Sequence, residues 1–161
     1  MDAITAAAVA VNSPLLHSID LLIDNVWVYA AVVLILLFIS ERRSSKRIKI
    51  LFSLTLVILA VTALKPLLAV DRPCFGQISC PSDYSFPSLH VAVAFALMIA
   101  FLDKKSFAFY FLFALFVAFT RMNLGFHTFR DVAGALVIAL VAYYITDIIW
   151  DRLGKRGASH G

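Results

Sequence analysis

Acidic residues are scarce in this chain, and glutamate appears only once, at Glu41. Residues of either charge make up 15% of the 161 positions, whereas 62% are hydrophobic and the mean hydropathy is +0.93. A domain of this length has too little interior to hide so much apolar surface from water. We therefore expect the chain to fold in lipid.

Other features that the sequence lacks bear on its cofactors, its number of domains and its partners. No Cys or His pair shows the spacing of a zinc site, so we expect neither a metal nor another cofactor. The absence of internal repeats, low-complexity tracts and Gly/Ser-rich linkers favours a single domain over residues 1–161. The N-terminus lacks the basic region of a cleaved signal peptide, and nothing indicates a nucleic-acid partner.

Apolar residues recur at helical spacing, which predicts an all-α fold. Ser13 and Pro14 are typical of a helix start, and the amphipathic segment from there to Val26 suits a helix in the membrane interface. Apolar runs then alternate with polar connections: residues 26–39, 48–64, 88–102, 107–119 and 132–149. Several fall short of the ~20 residues that cross a bilayer, and the third and fourth alone could be buried core helices. We predict an integral membrane bundle of about five transmembrane helices with a short tail, residues 151–161.

Basic residues are distributed unevenly over this topology. Ten of the 14 Lys and Arg residues fall in loop 41–49, at positions 104–105 and in the tail, all on one predicted face. The other face carries the rest: Lys65, Arg72, Arg121 and Arg130. Cytoplasmic loops of membrane proteins carry the excess of Lys and Arg. We therefore expect a multi-pass cell-membrane protein whose loop 41–49 and C-terminus are cytoplasmic.

The segment from Thr120 to Asp131 combines residue types that suit phosphate chemistry. Arg121 carries a permanent positive charge, and His127 follows it. If a helix begins near Phe126, His127 and Asp131 are i and i+4 on one helical face, where the carboxylate could hold the imidazole and make it more basic. That arrangement is typical of a phosphoryl-transfer nucleophile. The alternative is a set of interfacial polar residues that cap membrane helices.

Two further segments fall on the same predicted face. Lys65 and Arg72-Pro73 frame the first, and Pro87-Ser88-Leu89-His90 forms the second, with Ser88 expected at the N-cap of the third span. A helix N-terminus there offers free N–H groups to an anion. The pattern K-x6-R-P, P-S-x-H, R-x5-H-x3-D resembles the three-part signature of the type 2 phosphatidic acid phosphatase (PAP2) family. These membrane lipid phosphatases share an active-site design with vanadium haloperoxidases and bacterial class A acid phosphatases.

The resemblance, which covers residues 65–131, implies a role for each matched residue. His127 would attack phosphorus and form a phosphohistidine, oriented by Asp131, while His90 would protonate the leaving oxygen and later help activate water. The phosphate oxygens would be held by the side chains of Lys65, Arg72, Ser88 and Arg121 and by the backbone N–H of Leu89.

Two positions depart from the family pattern. Leu89 stands where the family usually has glycine, so a side chain is added where backbone should approach the phosphate closely. It could narrow the pocket, lower activity or pack against a lipid tail. Thr120 stands where the family usually has serine and keeps a hydroxyl.

The two cysteines, Cys74 and Cys80, lie in the connection beside Arg72. On the extracytoplasmic side a disulfide between them is permitted. Two unpaired thiols are the alternative.

The leading functional interpretation is a metal-independent membrane phosphatase acting on a lipid phosphate or diphosphate at the outer leaflet. Phosphatidate, phosphatidylglycerophosphate and polyprenyl diphosphates all present a phosphate on an apolar tail, and the sequence does not choose among them or set the oligomeric state. Two alternatives stay open. One is a lipid phosphotransferase with the same site, and the other is a non-catalytic protein that binds anionic lipid.

Overall fold

The computed structural model describes residues 1–11, 14–74 and 80–158. Over those ranges the fold is all-α, as predicted, with helices α1 (Ala3–Val9), α2 (Pro14–Asp24), α3 (Val26–Ser40), α4 (Ser44–Leu68), α5 (Leu89–Ala100), α6 (Phe107–Asn123) and α7 (Phe129–Ala158). α2 matches the predicted amphipathic helix, and α3 to α7 match the predicted apolar runs. Ser13, expected to begin α2, lies outside the described residues.

Among the described residues, fewer helices than predicted have the length and composition of a membrane span. In the described part of the chain, α4 and the Phe129–Leu153 portion of α7 are long and apolar enough to cross a membrane. A third crossing is reached only if α2 from His17 and α3 count as one span, and these two helices meet at 85°. α5 and α6 are apolar but have only 12 and 17 residues. Five transmembrane helices are therefore not confirmed.

Asn25 separates α2 from α3. Its Oδ1 accepts hydrogen bonds from the backbone N–H groups of Trp27 at 3.0 Å and Val28 at 3.2 Å. Because this side-chain cap satisfies the free donors of a new helix start, the chain bends there instead of continuing α2. α2 then packs against α6, where its last residue, Asp24, reaches Arg121.

α5 is short and lies at the centre of the bundle. Every residue from Val91 to Met98 is buried, and the helix packs against α3, α4, α6 and α7. α7 contributes buried alanines at helical spacing: Ala135, Ala139 and Ala142. Helices in lipid gain no hydrophobic driving force from one another, so small side chains that permit close packing supply much of the attraction.

Large apolar side chains cover the outside of the bundle. Exposed examples come from four helices: Trp27, Leu59, Leu112 and Tyr144. In water such a surface would cost about 25 cal/mol per Å² of apolar area, whereas lipid solvates it. The exposed surface therefore agrees with the composition in indicating a membrane protein.

The two ends of the bundle carry different charged groups. At one end Lys104 Nζ lies 3.2 Å from Glu41 Oε2, and Lys49 pairs with Asp147. Lys65 lies in the last turn of α4, near the opposite end. α7 continues to Ala158, so the tail predicted from residue 151 is helical up to that point, since no proline interrupts its hydrogen bonds. Residues 159–161 lie outside the described part.

Candidate active site

The end of α4 positions the first two cations. Ala69 caps the helix in a left-handed conformation (φ 46°), so the chain turns sharply after the last helical residue. Lys65, in the last turn, and Arg72, just beyond the turn, both have buried side chains. Lys65 Nζ donates to the Tyr84 carbonyl, and Arg72 Nε donates to the Asp83 carbonyl at 2.9 Å. Both cations are thus anchored to the segment that precedes the second motif.

Arg72 also fixes the proton position on His127. Its Nη1 lies 3.2 Å from His127 Nε2 and donates to the Phe126 carbonyl at 3.1 Å. A guanidinium can only donate, so Nε2 presents its lone pair and Nδ1 carries the proton of the neutral ring. The unprotonated nitrogen therefore faces the cations.

A serine links the other nitrogen of His127 to Asp131. The Nδ1 to Asp131 Oδ2 distance is 3.6 Å, which is too long for a direct hydrogen bond. Ser85 Oγ lies 3.5 Å from Nδ1 and donates to Asp131 Oδ2 at 2.5 Å. Ser85 is buried, and sequence reasoning missed it because no motif includes it.

The helix that follows begins later than predicted. α7 starts at Phe129 and not near Phe126, so His127 lies in the preceding turn and the prediction of one helical face for His127 and Asp131 is wrong. Thr128 and Asp131 cap the helix reciprocally: Thr128 N donates to Asp131 Oδ2 at 2.7 Å, and Asp131 N donates to Thr128 Oγ1 at 3.4 Å. The Asp131 side chain therefore folds back toward His127.

The environment of His127 lowers its basicity. The pKa of His127 is lowered to about 4; burial is the largest cause and nearby Arg72 and Arg121 add to it, while Asp131 acts in the opposite direction. The sequence predicted a histidine made more basic by Asp131. That contribution is present, but desolvation and the two guanidinium groups outweigh it. His127 is therefore neutral near pH 7 and keeps the lone pair that a nucleophile needs.

The second motif meets the third through the backbone. Ser88 is the N-cap residue of α5, as predicted, and its N–H donates to the Asp131 carbonyl at 3.4 Å. Tyr29 holds His90 from the other side, because its hydroxyl donates to the His90 carbonyl at 2.7 Å and the two rings lie 4.7 Å apart. His90 and His127 are therefore at the same end of the bundle.

Six buried side-chain polar atoms have no hydrogen-bond partner among the described residues. Two are the Asp20 carboxylate oxygens and one is Ser53 Oγ; the other three are Ser88 Oγ, His90 Nε2 and Arg121 Nε. A buried polar group left unpaired costs about 1–3 kcal/mol. The last three belong to the side chains that the sequence assigned to phosphate binding and proton transfer. A ligand rich in hydrogen-bond acceptors would satisfy them.

Arg121 supplies the third cation from the last turn of α6. Its side chain is buried, and Nη1 donates to Asp24 Oδ1 at 2.7 Å. The guanidinium lies 5.2 Å from the centre of the Phe126 ring, and that of Arg72 lies 5.9 Å from the same ring. The two arginines thus converge on the residue that precedes His127. Asp24 is a second partner that sequence reasoning missed.

The two departures from the family pattern have different surroundings. Leu89 is half-buried and lines an apolar cavity of about 310 Å³ between α3, α4 and α5, which also reaches His90. The Thr120 hydroxyl donates to the Val117 carbonyl at 2.8 Å within α6. Leu89 therefore contributes apolar surface beside the site, whereas the Thr120 hydroxyl is used within its own helix.

Two contacts fix the loop between the first and second motifs. Cys74 and Cys80 are joined by a disulfide with their Cα atoms 5.5 Å apart. Phe86 packs over Gly134 of α7, where a Cβ atom would lie only 2.3 Å from the ring. Glycine at position 134 therefore lets the second motif lie against α7.

All predicted site residues gather at one end of the bundle: Lys65, Arg72, Ser88, Leu89, His90, Arg121, His127 and Asp131. The structure adds Ser85, Asp83 and Asp24 as direct partners of these side chains. Within the described ranges, no three His, Cys, Asp or Glu side chains converge as a metal site would require.

Two solved structures share this fold. The crystal structure of LpxE from Aquifex aeolicus matches with a TM-score of 0.72 and 23% identity, over 89% of this chain and 92% of that chain. A transmembrane PAP2-type phosphatidylglycerolphosphate phosphatase from Bacillus subtilis matches with a TM-score of 0.69 and 20% identity, over 93% of this chain and 84% of that chain. None of the curated proteins matches at a significant level.

The sequence profile of the PAP2 superfamily matches residues 46–154. That range holds all three motif segments and the helices α5 and α6 between them. With the matched residues converging at one end of the helical bundle, the chain belongs to the PAP2 superfamily.

Proposed function

We propose that this chain is a membrane phosphatase that hydrolyses a lipid phosphate or diphosphate through a phosphohistidine intermediate. The observation that carries the proposal is the position of His127, a buried imidazole whose Nε2 lies 3.2 Å from Arg72 Nη1. A neutral histidine at a cationic site has both a nucleophilic atom and a place for the phosphate charge.

In the first step the cations Lys65, Arg72 and Arg121 hold the phosphate oxygens. His127 Nε2 then attacks phosphorus, and a P–N bond forms as the bond to the lipid oxygen breaks. The electron pair leaves with that oxygen, which takes a proton from the imidazolium form of His90; the negative charge of the bound phosphate favours that form. The charge that develops on the His127 ring is balanced through Ser85 by the Asp131 carboxylate.

The second step returns the enzyme to its starting state. His90, now deprotonated, takes a proton from water, and the water oxygen attacks phosphorus. The P–N bond breaks, its electron pair returns to His127 Nε2, and inorganic phosphate is released. Phosphoryl transfer depends chiefly on positioning and charge stabilisation. Three fixed cations can supply both, so we expect activity to persist in the presence of EDTA.

The apolar cavity beside His90 supports a lipid as the substrate. It is lined almost entirely by carbon, from side chains that include Val33, Leu54, Ile58 and Leu89. A chain lying in this cavity would have its phosphate-bearing end beside His90, the residue proposed to protonate the leaving oxygen. The role of Leu89 that fits best is therefore contact with the lipid tail.

We further propose that the site faces the extracytoplasmic side. The excess of basic residues lies toward the end that carries Lys49 and Lys104, and the disulfide near the site suits an oxidising compartment. A C-terminal epitope tag tests this placement. The tag should be digested by protease only after the membrane is permeabilised, and digestion in intact cells would overturn the orientation.

The functional test is phosphate release by purified protein in detergent from phosphatidate, phosphatidylglycerophosphate and a polyprenyl diphosphate. His127→Ala should lower kcat by at least about 10³-fold, as expected for loss of a covalent nucleophile. The matched control is His17→Ala, because His17 is an exposed histidine on α2. Phosphate release by the wild type that is no greater than release by His127→Ala would favour the non-catalytic alternative. A phosphorylated product formed from an added alcohol would favour a phosphotransferase.

A further inference from the structure

Asp83 holds two of the three cations at the site. Its Oδ2 lies 2.5 Å from Lys65 Nζ, and its Oδ1 lies 2.6 Å from Arg72 Nη2. Each carboxylate oxygen therefore takes one cation. Two oxygens of a phosphate group would bind the same pair of donors in the same way, since both groups accept charge-assisted hydrogen bonds from cationic donors.

Asp83 is far more exposed to solvent than the two cations that it contacts. The Lys65 and Arg72 side chains are 11% and 5% exposed, whereas the Asp83 side chain is 55% exposed. The cations thus form the buried wall of the site, and the carboxylate approaches them from its accessible side. A ligand that enters from that side meets Asp83 first.

Asp83 is also charged. Burial raises the pKa of its carboxyl, but hydrogen bonds from Lys65 and Arg72 outweigh burial and hold the pKa below its usual value. A phosphate added beside this carboxylate would be repelled. Like charges a few ångströms apart repel strongly where burial limits solvent screening. The two anions compete for the same cations, so the presence of one weakens the binding of the other.

We propose that Asp83 takes the phosphate position on Lys65 and Arg72, and that the phosphate of substrate or product must displace it to bind. Asp83 then sets the phosphate affinity of the site by competition. This inference rests on the proposed phosphate-binding role of Lys65 and Arg72. The third cation does not take part, because Arg121 pairs with Asp24.

The test compares Asp83→Asn with Asp71→Asn in the detergent-solubilised protein. Asp71 lies in the same loop, is exposed, and has no side-chain hydrogen bond or ion pair within the described part of the chain. Both variants lose one negative charge, but only the first removes the competing carboxylate. The readout is the Kd of inorganic phosphate by calorimetry, with Asp83→Ala as a second variant should asparagine still bridge the cations.

Asp83→Asn should lower the phosphate Kd about tenfold or more, and Asp71→Asn should leave it within about twofold of wild type. If Asp83 only positioned the two cations, its loss would raise the Kd. A raised or unchanged Kd in both Asp83 variants would overturn the inference, as would the absence of phosphate binding in all proteins.

Phosphate binding does not require turnover, so the two proposals can fail separately. Tighter phosphate binding by Asp83→Asn in a protein that hydrolyses no lipid phosphate would overturn the proposed function and support this inference. A working phosphatase whose phosphate Kd is unchanged or raised by Asp83→Asn and Asp83→Ala would support the proposed function and overturn this inference.

Discussion

Ser85→Ala removes the hydroxyl that connects His127 to Asp131. In the structure Ser85 Oγ donates to Asp131 Oδ2 at 2.5 Å and lies 3.5 Å from His127 Nδ1, while the direct His127–Asp131 distance is 3.6 Å. The variant leaves both partners in place. It also removes the longer contact of Ser85 Oγ with the Phe126 carbonyl, at 3.4 Å.

The size of the effect follows from the charge of the acceptor. A hydrogen bond to a charged group contributes about 1.5–3 kcal/mol, and each ~1.4 kcal/mol on the activation barrier is a factor of ten. We expect kcat to fall roughly 10- to 150-fold, because the link stabilises the positive ring that forms only during reaction. KM should change little, because Ser85 contacts none of the three cations.

The assay is the pH dependence of phosphate release. The acid limb of kcat/KM reports protonation of the free enzyme, and the pKa of His127 is lowered to about 4 mainly by burial. Because Asp131 raises that pKa, weakening its link to His127 should move the limb to lower pH. The buried Ser53 provides the control, since its Oγ has no hydrogen-bond partner among the described residues. Equal kcat values for Ser85→Ala and Ser53→Ala, or an acid limb that stays in place, would refute the reasoning.

Three further predictions follow from particular contacts. The Tm of the wild type should fall as the pH drops from 6.5 toward 4, because over that range the unfolded chain binds a proton at His127 and the buried ring, with a pKa of about 4, does not. The Tm of His127→Gln should fall less over the same range. Cys74 and Cys80 should react with maleimide only after reduction, and replacing both by serine should cost about 2 kcal/mol, the chain-entropy value for so small a ring. Gly134→Ala should lower the Tm, because its Cβ would lie 2.3 Å from the Phe86 ring and overpacking of about 1–3 kcal/mol exceeds the ~1 kcal/mol gained in helix propensity. In a Phe86→Ala background the same substitution should no longer lower the Tm.

Each of these has a clear contrary result. An identical pH dependence of Tm in wild type and His127→Gln would mean that the ring is protonated in the folded protein. Labelling of Cys74 or Cys80 in the unreduced protein would show free thiols. A Tm loss in Gly134→Ala that persists after Phe86→Ala would place the cause elsewhere on α7.

The sequence predicted the helices and most of the site because the relevant patterns are local. An apolar run with polar ends defines a helix whatever its neighbours, so α3 to α7 appear where the hydropathy places them. Spacing within the three motifs likewise identifies Lys65, Arg72, His90 and His127. The number of membrane spans was harder to predict, because the length of α5 depends on its burial among four other helices.

Only the tertiary structure decided how those residues are connected. Arg72 and His127 are 55 positions apart, and Ser85 and Asp131 are 46 apart, so no local pattern could indicate that they touch. The start of α7 at Phe129 depends on capping by Thr128 and Asp131, which competes with the apolar signal at Phe126.

The charge state of His127 was also beyond the sequence. An aspartate four residues after His127 predicts a more basic ring, and that contribution is real. Burial and two guanidinium groups from other elements reverse the sign, because desolvation depends on everything packed around the ring. Residue types and spacing determined which groups could do phosphate chemistry. Packing determined which carboxylate pairs with which cation, and it lowered the pKa of His127.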